Sequence, residues 1–312
     1  MNTNPSAWKV MWNEIRHDKL ALIGLALFVL IVATVYIWAP FIDQAEAFTV
    51  NLRMRNNQPC GIFGWGNDPE GILACTRCGL DSCGRFWMGT DSAGRPMLEQ
   101  FILSARNSFT IAFIVTIGGA LIGITFGLFA GFYGGHVDNV MMRLFNLYGM
   151  VPNIMLIIVA IALMPNYGVI TFSLLMIGLL TWTGFAGLIR IKALQQGRLD
   201  YVSASKTLGT PNIFIIFREV LPNLVSIIVS QFTLALAANM GIETGLTFLG
   251  FGLPPDSPSL GRLIFYARVP ANLTNRLWLW LPSALLIIIM MLSINFVGQA
   301  LNRAADAKKR RV

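Results

Sequence analysis

The chain contains four cysteines, Cys60, Cys75, Cys78 and Cys83, spaced C-x14-C-x2-C-x4-C. That pattern admits three chemistries. An even count suits one or two disulfides if the segment faces an oxidising compartment, with three possible connectivities. A C-x2-C pair also suits tetrahedral ligation of zinc by four thiolates. Cys75 and Cys78 would alternatively form a redox-active dithiol. The disulfide reading has a physical rationale. "CGIFGWGNDPEG" is glycine-rich and poor in core-forming side chains, and each cross-link would add roughly 2–4 kcal/mol by restricting the unfolded chain.

Other reactive constellations are missing. The only histidines are His17 and His136, both placed near one membrane surface and far from any nucleophile on the other side, so Ser/His/Asp chemistry is disfavoured. "SKTLGT" at 205–210 contains a Lys-Thr pair but lacks the upstream glycines of a G-x-x-x-x-G-K-[ST] phosphate cradle, whose backbone N–H groups hold the phosphates. No catalytic residue and no metal site is assigned, and the chain is not read as an enzyme. If ATP drives this protein, another chain binds it.

The elements that carry these residues are set by composition. The chain has 312 residues, is 55% hydrophobic and only 12% charged, whereas a soluble domain needs a polar coat of about 25% charged residues. The apolar residues fall into six runs, Leu20–Ala39, Ser108–Phe132, Val140–Met164, Val169–Ile189, Asn223–Met240 and Leu277–Val297, near the length of about 20 residues that crosses a bilayer as a helix. The third is interrupted by Pro152, which a membrane helix tolerates when neighbours satisfy the freed carbonyl. The expected fold is an all-α polytopic membrane protein with six transmembrane helices. No ionisable residue lies at the centre of any run, since Glu243, Asp138, His136 and Arg143 sit near ends. An ion-coupled pump needs such a group to bind and release its ion, so energy must enter from elsewhere. Paired methionines, Met141-Met142 and Met290-Met291, read as lipid-facing or core filler.

Charge sets orientation and boundaries. Arg190, Lys192, Arg198, Lys206 and Arg218 face only Asp200 and Glu219 within 190–222, and the tail carries "KKRR". Lys and Arg favour the cytoplasm, so both termini and this segment are expected there. The tail would meet anionic lipid heads. Nucleic acid is excluded as a partner, because no basic stripe interleaves with aromatics in one soluble domain. "AEA" at 45–47 resembles a signal cleavage site, yet the preceding run exceeds the 7–15 residues of a signal peptide and reads as a retained anchor. The expected organisation is a cytoplasmic N-terminus and first helix (1–39), an extracytoplasmic loop with the cysteines (40–107), a five-helix core (108–300) and a basic tail (301–312). Gly123, Gly127 and Gly131 recur every four residues, a small stripe that lets a second helix approach closely. That helix would belong to this chain or to a second subunit.

Between two apolar runs lies "DYVSASKTLGTPNIFIIFREVLP" (200–222). Helix formers are followed by Gly209, where the chain can turn after a helix. Ile213, Phe214, Ile216 and Phe217 follow at helical spacing, and Pro222 opens the next span, a position proline tolerates. Ser203-Ala204-Ser205, three residues, Gly209 and then Leu221-Pro222 resembles the "EAA" loop of ABC-importer permeases, with Ser203 where that family usually has Glu and Ser205 where it has a second Ala. "FWMGTDSAGRPMLEQFILSARNSF" (86–109), "GFYGGHVDNVMMR" (131–143) and "GIETGLTFLGFGLPPDSPSLGRLI" (241–264) are similar, in order, to stretches of the C-type permease of oligopeptide and dipeptide importers. Pro96 stands where that family usually has Asp.

The resemblance implies the type I ABC importer transmembrane fold and a non-catalytic permease subunit in the cell membrane. It implies that Ser203, Ala204, Ser205, Gly209, Leu221 and Pro222 seat a short helix in a cleft of a cytoplasmic ATPase. It implies a second homologous permease, two ATPases holding ATP and Mg, an extracytoplasmic substrate-binding lipoprotein, and no cofactor in this chain. The cysteines are not part of the family pattern. Nickel import is an alternative substrate reading. A membrane thiol oxidoreductase is the alternative from another class; it would lose activity on Cys75→Ser and tolerate change in 200–222. A passive channel would survive deletion of the ATPases.

Overall fold

A computed structural model describes residues 16, 18–59, 86–164, 167–254 and 257–309, with side chains to 303 in the last helix. The expectation of an all-α architecture is met: regular structure among the described residues is helical, apart from one isolated bridge between Thr90 and Pro96. Helix α1 (Lys19–Trp38) starts at Asp18, whose carboxylate accepts from the Leu20 and Ala21 N–H groups. Helix α2 (Met97–Tyr133) has 37 residues, so at 1.5 Å per residue it outruns a hydrocarbon layer of about 30 Å. Helices α3 (Gly135–Gly149) and α4 (Asn153–Ala162) follow. A bent-free path runs through α5 (Val169–Met176), a π turn (Ile177–Thr181) and α6 (Trp182–Gln196). Then come α7 (Asp200–Thr207), α8 (Asn212–Ile215), a second π turn (Ile216–Val220), α9 (Leu221–Phe248), the short α10 (Leu260–Phe265) and α11 (Pro270–Asn275), and α12 (Leu281–Lys309).

Among the described residues, five helical stretches are long and apolar enough to cross a membrane, and six if the α3–α4 pair counts as one broken span. The third apolar run is therefore not a straight helix. It bends by 67° where Met150–Pro152 separates α3 from α4, because Pro152 donates no N–H and restricts the residue before it. A second difference concerns Pro222. The helix does not begin there but runs from Asn212 to Phe248. Pro222 removes a bond to the Arg218 carbonyl, and the π turn at Ile216–Val220 widens the helix just where its ring would clash. The same helix also passes the expected end at Met240, so Glu243 lies inside it and is fully buried. Glu243 still lies only five residues from the helix end at Phe248, near an end and not at the centre of a span. Its run was cut short by Thr244, Gly245 and Glu243 itself.

Helix α2 is the axis of the core, packed by α6, α9 and α1, while α12 lies against α9 and α1. Phe109, Ala112, Ala237, Met240, Met290 and Ile294 fill one cluster, and Leu128, Ile189, Ile216, Val220 and Leu224 fill another near the C-terminal end of α2. Polar side chains link the spans in pairs. Asn239 Nδ2 donates to Thr116 Oγ1 at 2.9 Å, and the Tyr36 and Thr110 hydroxyls lie 2.8 Å apart. Such bonds specify neighbours where lipid offers apolar side chains no preference.

The N-terminal end of α2 is tied down by the Gly-Thr-Asp segment. Thr90 and Asp91 are buried. The Thr90 hydroxyl donates to the Met54 carbonyl and accepts from the Asn57 N–H at 2.9 Å, and its carbonyl accepts from Trp278 Nε1 at 3.3 Å. Asp91 accepts from the N–H groups of Ala93 and Arg95, both at 2.9 Å, and from the Tyr266 hydroxyl at 3.3 Å. Burial and the Asp91 charge push the Tyr266 phenol up to about 12, so it remains a donor. Gly94 has φ +76, and a Cβ there would strike the Asn51 carbonyl. Residues 51–57, 89–96 and 266–278 thus form one knot.

Candidate coupling surface

The C-terminal end of α2 meets the stretch singled out in the sequence. Helix α7 closes in a full Schellman motif: Gly209 N–H donates to the Lys206 carbonyl at 3.0 Å and Thr210 N–H to the Ser205 carbonyl at 3.1 Å. Gly209 has φ +79 with nothing within 4 Å of a Cβ placed there, so conformation, and not lack of space, demands glycine. The motif turns the chain into Pro211, and α8 begins one residue later.

The underside of this hairpin is anchored. Val202, Ile215, Ile216 and Val220 are fully buried against Leu128, Phe132, Ile189 and Ala193. Lys206 Nζ stands 4.7 Å from the centre of the Phe132 ring, a cation–π contact with the last turn of α2. Tyr201 donates to Gln196 Oε1 at 2.7 Å, and burial raises its phenol above the ordinary value. Ser205 donates to Glu219 Oε1 at 2.7 Å, and Asn223 Nδ2 donates to the Glu219 carbonyl at 2.9 Å. The upper side is open. Ser203, Ala204 and Gly209 are exposed, and so are Leu208, Ile213, Phe214 and Phe217. Leu221 is half-buried and Pro222 exposed on the same stretch. The geometry is a small-residue platform flanked by an apolar rim on a buried base.

The glycine stripe of α2 adjoins Leu128 and Phe132 and packs inside this chain. A Cβ at Gly127 would come within 2.7 Å of the Ala186 carbonyl and 3.0 Å of Arg190 N, and one at Gly131 within 3.0 Å of Leu194 N and closer still to the Arg190 carbonyl. Gly123 likewise faces Trp182, Phe185 and Ala186. The partner is α6 in every case, and α2 with α6 is the most extensive helix pair among the described residues.

Two features escaped the sequence reading. The first is a bidentate ion pair: Arg190 Nη2 lies 2.6 Å from Asp138 Oδ2 while Nε engages Oδ1. The two residues are 52 positions apart, and nothing short of the fold pairs them. The second is Glu243, bonded to Thr247 Oγ1 at 3.2 Å and Thr244 Oγ1 at 3.4 Å, with the Ser108 and Ser259 hydroxyls also on it. The adjacency of Ser108, Thr244, Thr247 and Ser259 around one carboxylate is a tertiary fact. Among the described residues no group of three or more His, Cys, Asp or Glu could hold a metal. Cys60, Cys75, Cys78 and Cys83 lie outside the described residues.

Among the described residues, five long apolar helices and a sixth, broken one define a polytopic membrane protein. Residues 123–311 match the model of the binding-protein-dependent transport system inner membrane component, and residues 6–59 match the N-terminal TM domain of oligopeptide transport permease C. The chain is 37% identical over 297 residues to the oligopeptide transport system permease protein OppC of Lactococcus lactis subsp. lactis, covering 95% of this chain and 93% of the relative. It is 30% identical to the dipeptide transport system permease protein DppC of Bacillus subtilis, over 96% of this chain and 85% of that protein. A peptidoglycan transport permease of Agrobacterium fabrum, YejE, is 31% identical over 82% of this chain and 64% of its own length. The chain belongs to the binding-protein-dependent transport system inner membrane component family. It is a multi-pass inner-membrane permease component, and it does no bond chemistry of its own.

Proposed function

We propose that this chain is a transmembrane permease subunit of an ATP-driven importer of oligopeptides or dipeptides, coupled to its motor through residues 200–222. The substrate class rests on relatives named for oligopeptide and dipeptide transport that cover nearly the whole chain. The coupling role rests on one observation: a platform of Ser203, Ala204 and Gly209 open to solvent above a fully buried base. Small side chains permit close seating in a cleft, and the buried base makes the hairpin move with α2 and α6 as one body. Two cytoplasmic ATPases carry ATP and Mg, and their closure rocks the spans between two access states, a rigid-body switch. Each partner shifts the equilibrium only by binding the two states unequally. An external substrate-binding lipoprotein supplies the other bias.

A second, homologous permease completes the path. Val137, Val140, Leu144 and Leu147 are exposed at helical spacing along α3, a face with no partner among the described residues that suits a subunit or lipid. Both termini lie in the cytoplasm, around a 108–300 core and a 40–107 extracytoplasmic loop, a reading supported by the basic segments 190–222 and 301–312. Co-purification of the tagged chain in detergent tests the reading. Wild type carries the ATPases with it, and Gly209→Trp, inserted at normal level, loses them and loses uptake because the ring blocks the seat. Normal association and uptake in Gly209→Trp would overturn the coupling role.

A further inference from the structure

Helix α3 is held in an unusual way. None of its residues is buried, and its backbone does not pack closely along α6. Both of its ends are joints. At one end Gly134 and Gly135 have successive positive φ values, +60 and +51, with nothing near a Cβ at either; two such residues in a row form a bend that only glycine adopts freely. At the other end Pro152 and the 67° break lead into α4. Two side-chain attachments fix α3 between these joints, and both reach the α5–α6 rod. Asp138 takes the fork of Arg190. One helical face further on, Tyr148 donates to the Gly178 carbonyl at 3.0 Å, and the Tyr148 and Phe145 rings lie 5.4 Å and 5.5 Å from that of Trp182. Asp138 makes the only ion pair of α3 among the described residues, and the two partners are sheltered at 16% and 19% exposure.

Arg190 itself is fixed. Its backbone N and carbonyl are the atoms that Gly127 and Gly131 of α2 pack against. Six residues beyond it α6 ends at Gln196, and α7 begins at Asp200. One residue therefore joins the base of the coupling platform to a helix that has no other charged hold among the described residues.

We propose that the Asp138–Arg190 pair is a latch that makes α3 follow the α6–α7 unit, so that motion received at the coupling platform reaches the jointed α3–α4 span. Arg190 and Asp138 are positioning residues in this account; neither touches the transported solute. The inference rests on the coupling role proposed above for residues 200–222. A bidentate guanidinium–carboxylate pair suits the task because it fixes orientation as well as distance, and an aromatic clasp alone would let α3 pivot about Trp182.

The assembled transporter in vesicles provides the test, with a labelled peptide mixture that the wild-type complex accumulates. D138A and R190A are each expected to lower uptake by about tenfold, within the span of a coupling between two sites, while ATP hydrolysis stays within about twofold. ATP consumed per peptide delivered then rises, which a mere loss of folded protein would not cause. The D138A/R190A double variant should transport no worse than the weaker single one, because each change removes the same interaction. Wild-type uptake in either single variant, parallel loss of uptake and hydrolysis, or multiplying losses in the double variant would each overturn the latch. If an alanine variant fails to accumulate in the membrane, D138N and R190K are measured with the same outcomes. Gly209→Trp separates this from the coupling role. If that variant keeps its ATPases, the coupling role fails whatever the latch does. If it loses them while D138A and R190A transport normally, the latch alone fails.

Discussion

The Ser205 hydroxyl donates to the Glu219 carboxylate at 2.7 Å, closing α7 onto the π turn that leads into α9. The platform thus receives a carboxylate from the following segment, although Ser203 occupies the position where related loops carry Glu. Ser205→Ala removes this bond and is expected to loosen the hairpin by about 1 kcal/mol. Amide exchange over 200–210, read by mass spectrometry on the purified protein, should accelerate roughly fivefold, since 1.4 kcal/mol is a factor of ten. Unchanged exchange would show that the buried apolar base alone holds the platform.

Gly209→Ala separates backbone strain from obstruction of the seat. The φ of +79 penalises any β-carbon, by about 1–2 kcal/mol, but the space around it is open. The alanine variant should keep measurable ATPase association in a detergent pull-down, and the tryptophan variant should not. Equal loss in both would assign the effect to the turn.

Gly127→Leu should be poorly tolerated, like any large residue in the α2 stripe. The Ala186 carbonyl and Arg190 N lie within 2.7 Å and 3.0 Å of the added carbon, and neither can give way without moving α6. Overpacking of this kind costs about 1–3 kcal/mol or more. The expected result is low membrane yield and a lowered melting temperature, with no selective loss of partner subunits.

Asp91→Ala strips the acceptor from two backbone N–H groups and from Tyr266. Leaving buried donors unmade costs about 1–3 kcal/mol, so thermal unfolding in detergent should begin at lower temperature. Asp91→Asn, which keeps one acceptor oxygen, should lie between that variant and wild type.

Glu243→Leu should destabilise more than Glu243→Gln. Leucine strands the Thr247, Ser108 and Ser259 hydroxyls in a dry interior, whereas the amide oxygen still accepts from part of the set. Melting temperatures of the two variants decide the order, and a leucine variant as stable as wild type would refute the carboxylate's role in the packing.

Much of this architecture was legible without coordinates, and the illegible remainder has common causes. Apolar runs mark spans because lipid demands roughly 20 such residues in a row, and Gly209 after a short polar helix marks a cap. Run length understates a helix whose last turns hold polar residues, so the apolar run ending at Met240 stops short of Glu243 and Phe248. It also fails at Pro222, where a π turn carries the helix through the proline. The Gly123, Gly127 and Gly131 spacing named a packing face but not the helix upon it, which needed the fold. Asp138 and Arg190 read separately as local charges, since no sequence pattern links two residues across an α3–α6 contact.

Reconstitution of the purified chain in sealed vesicles, with and without its companion subunits, tests the central claim most directly. The account predicts that the chain alone accumulates no peptide with ATP present on the coupling side, and that adding the ATPases, the second permease and the binding protein produces uptake against a gradient. Accumulation by the chain alone would contradict it.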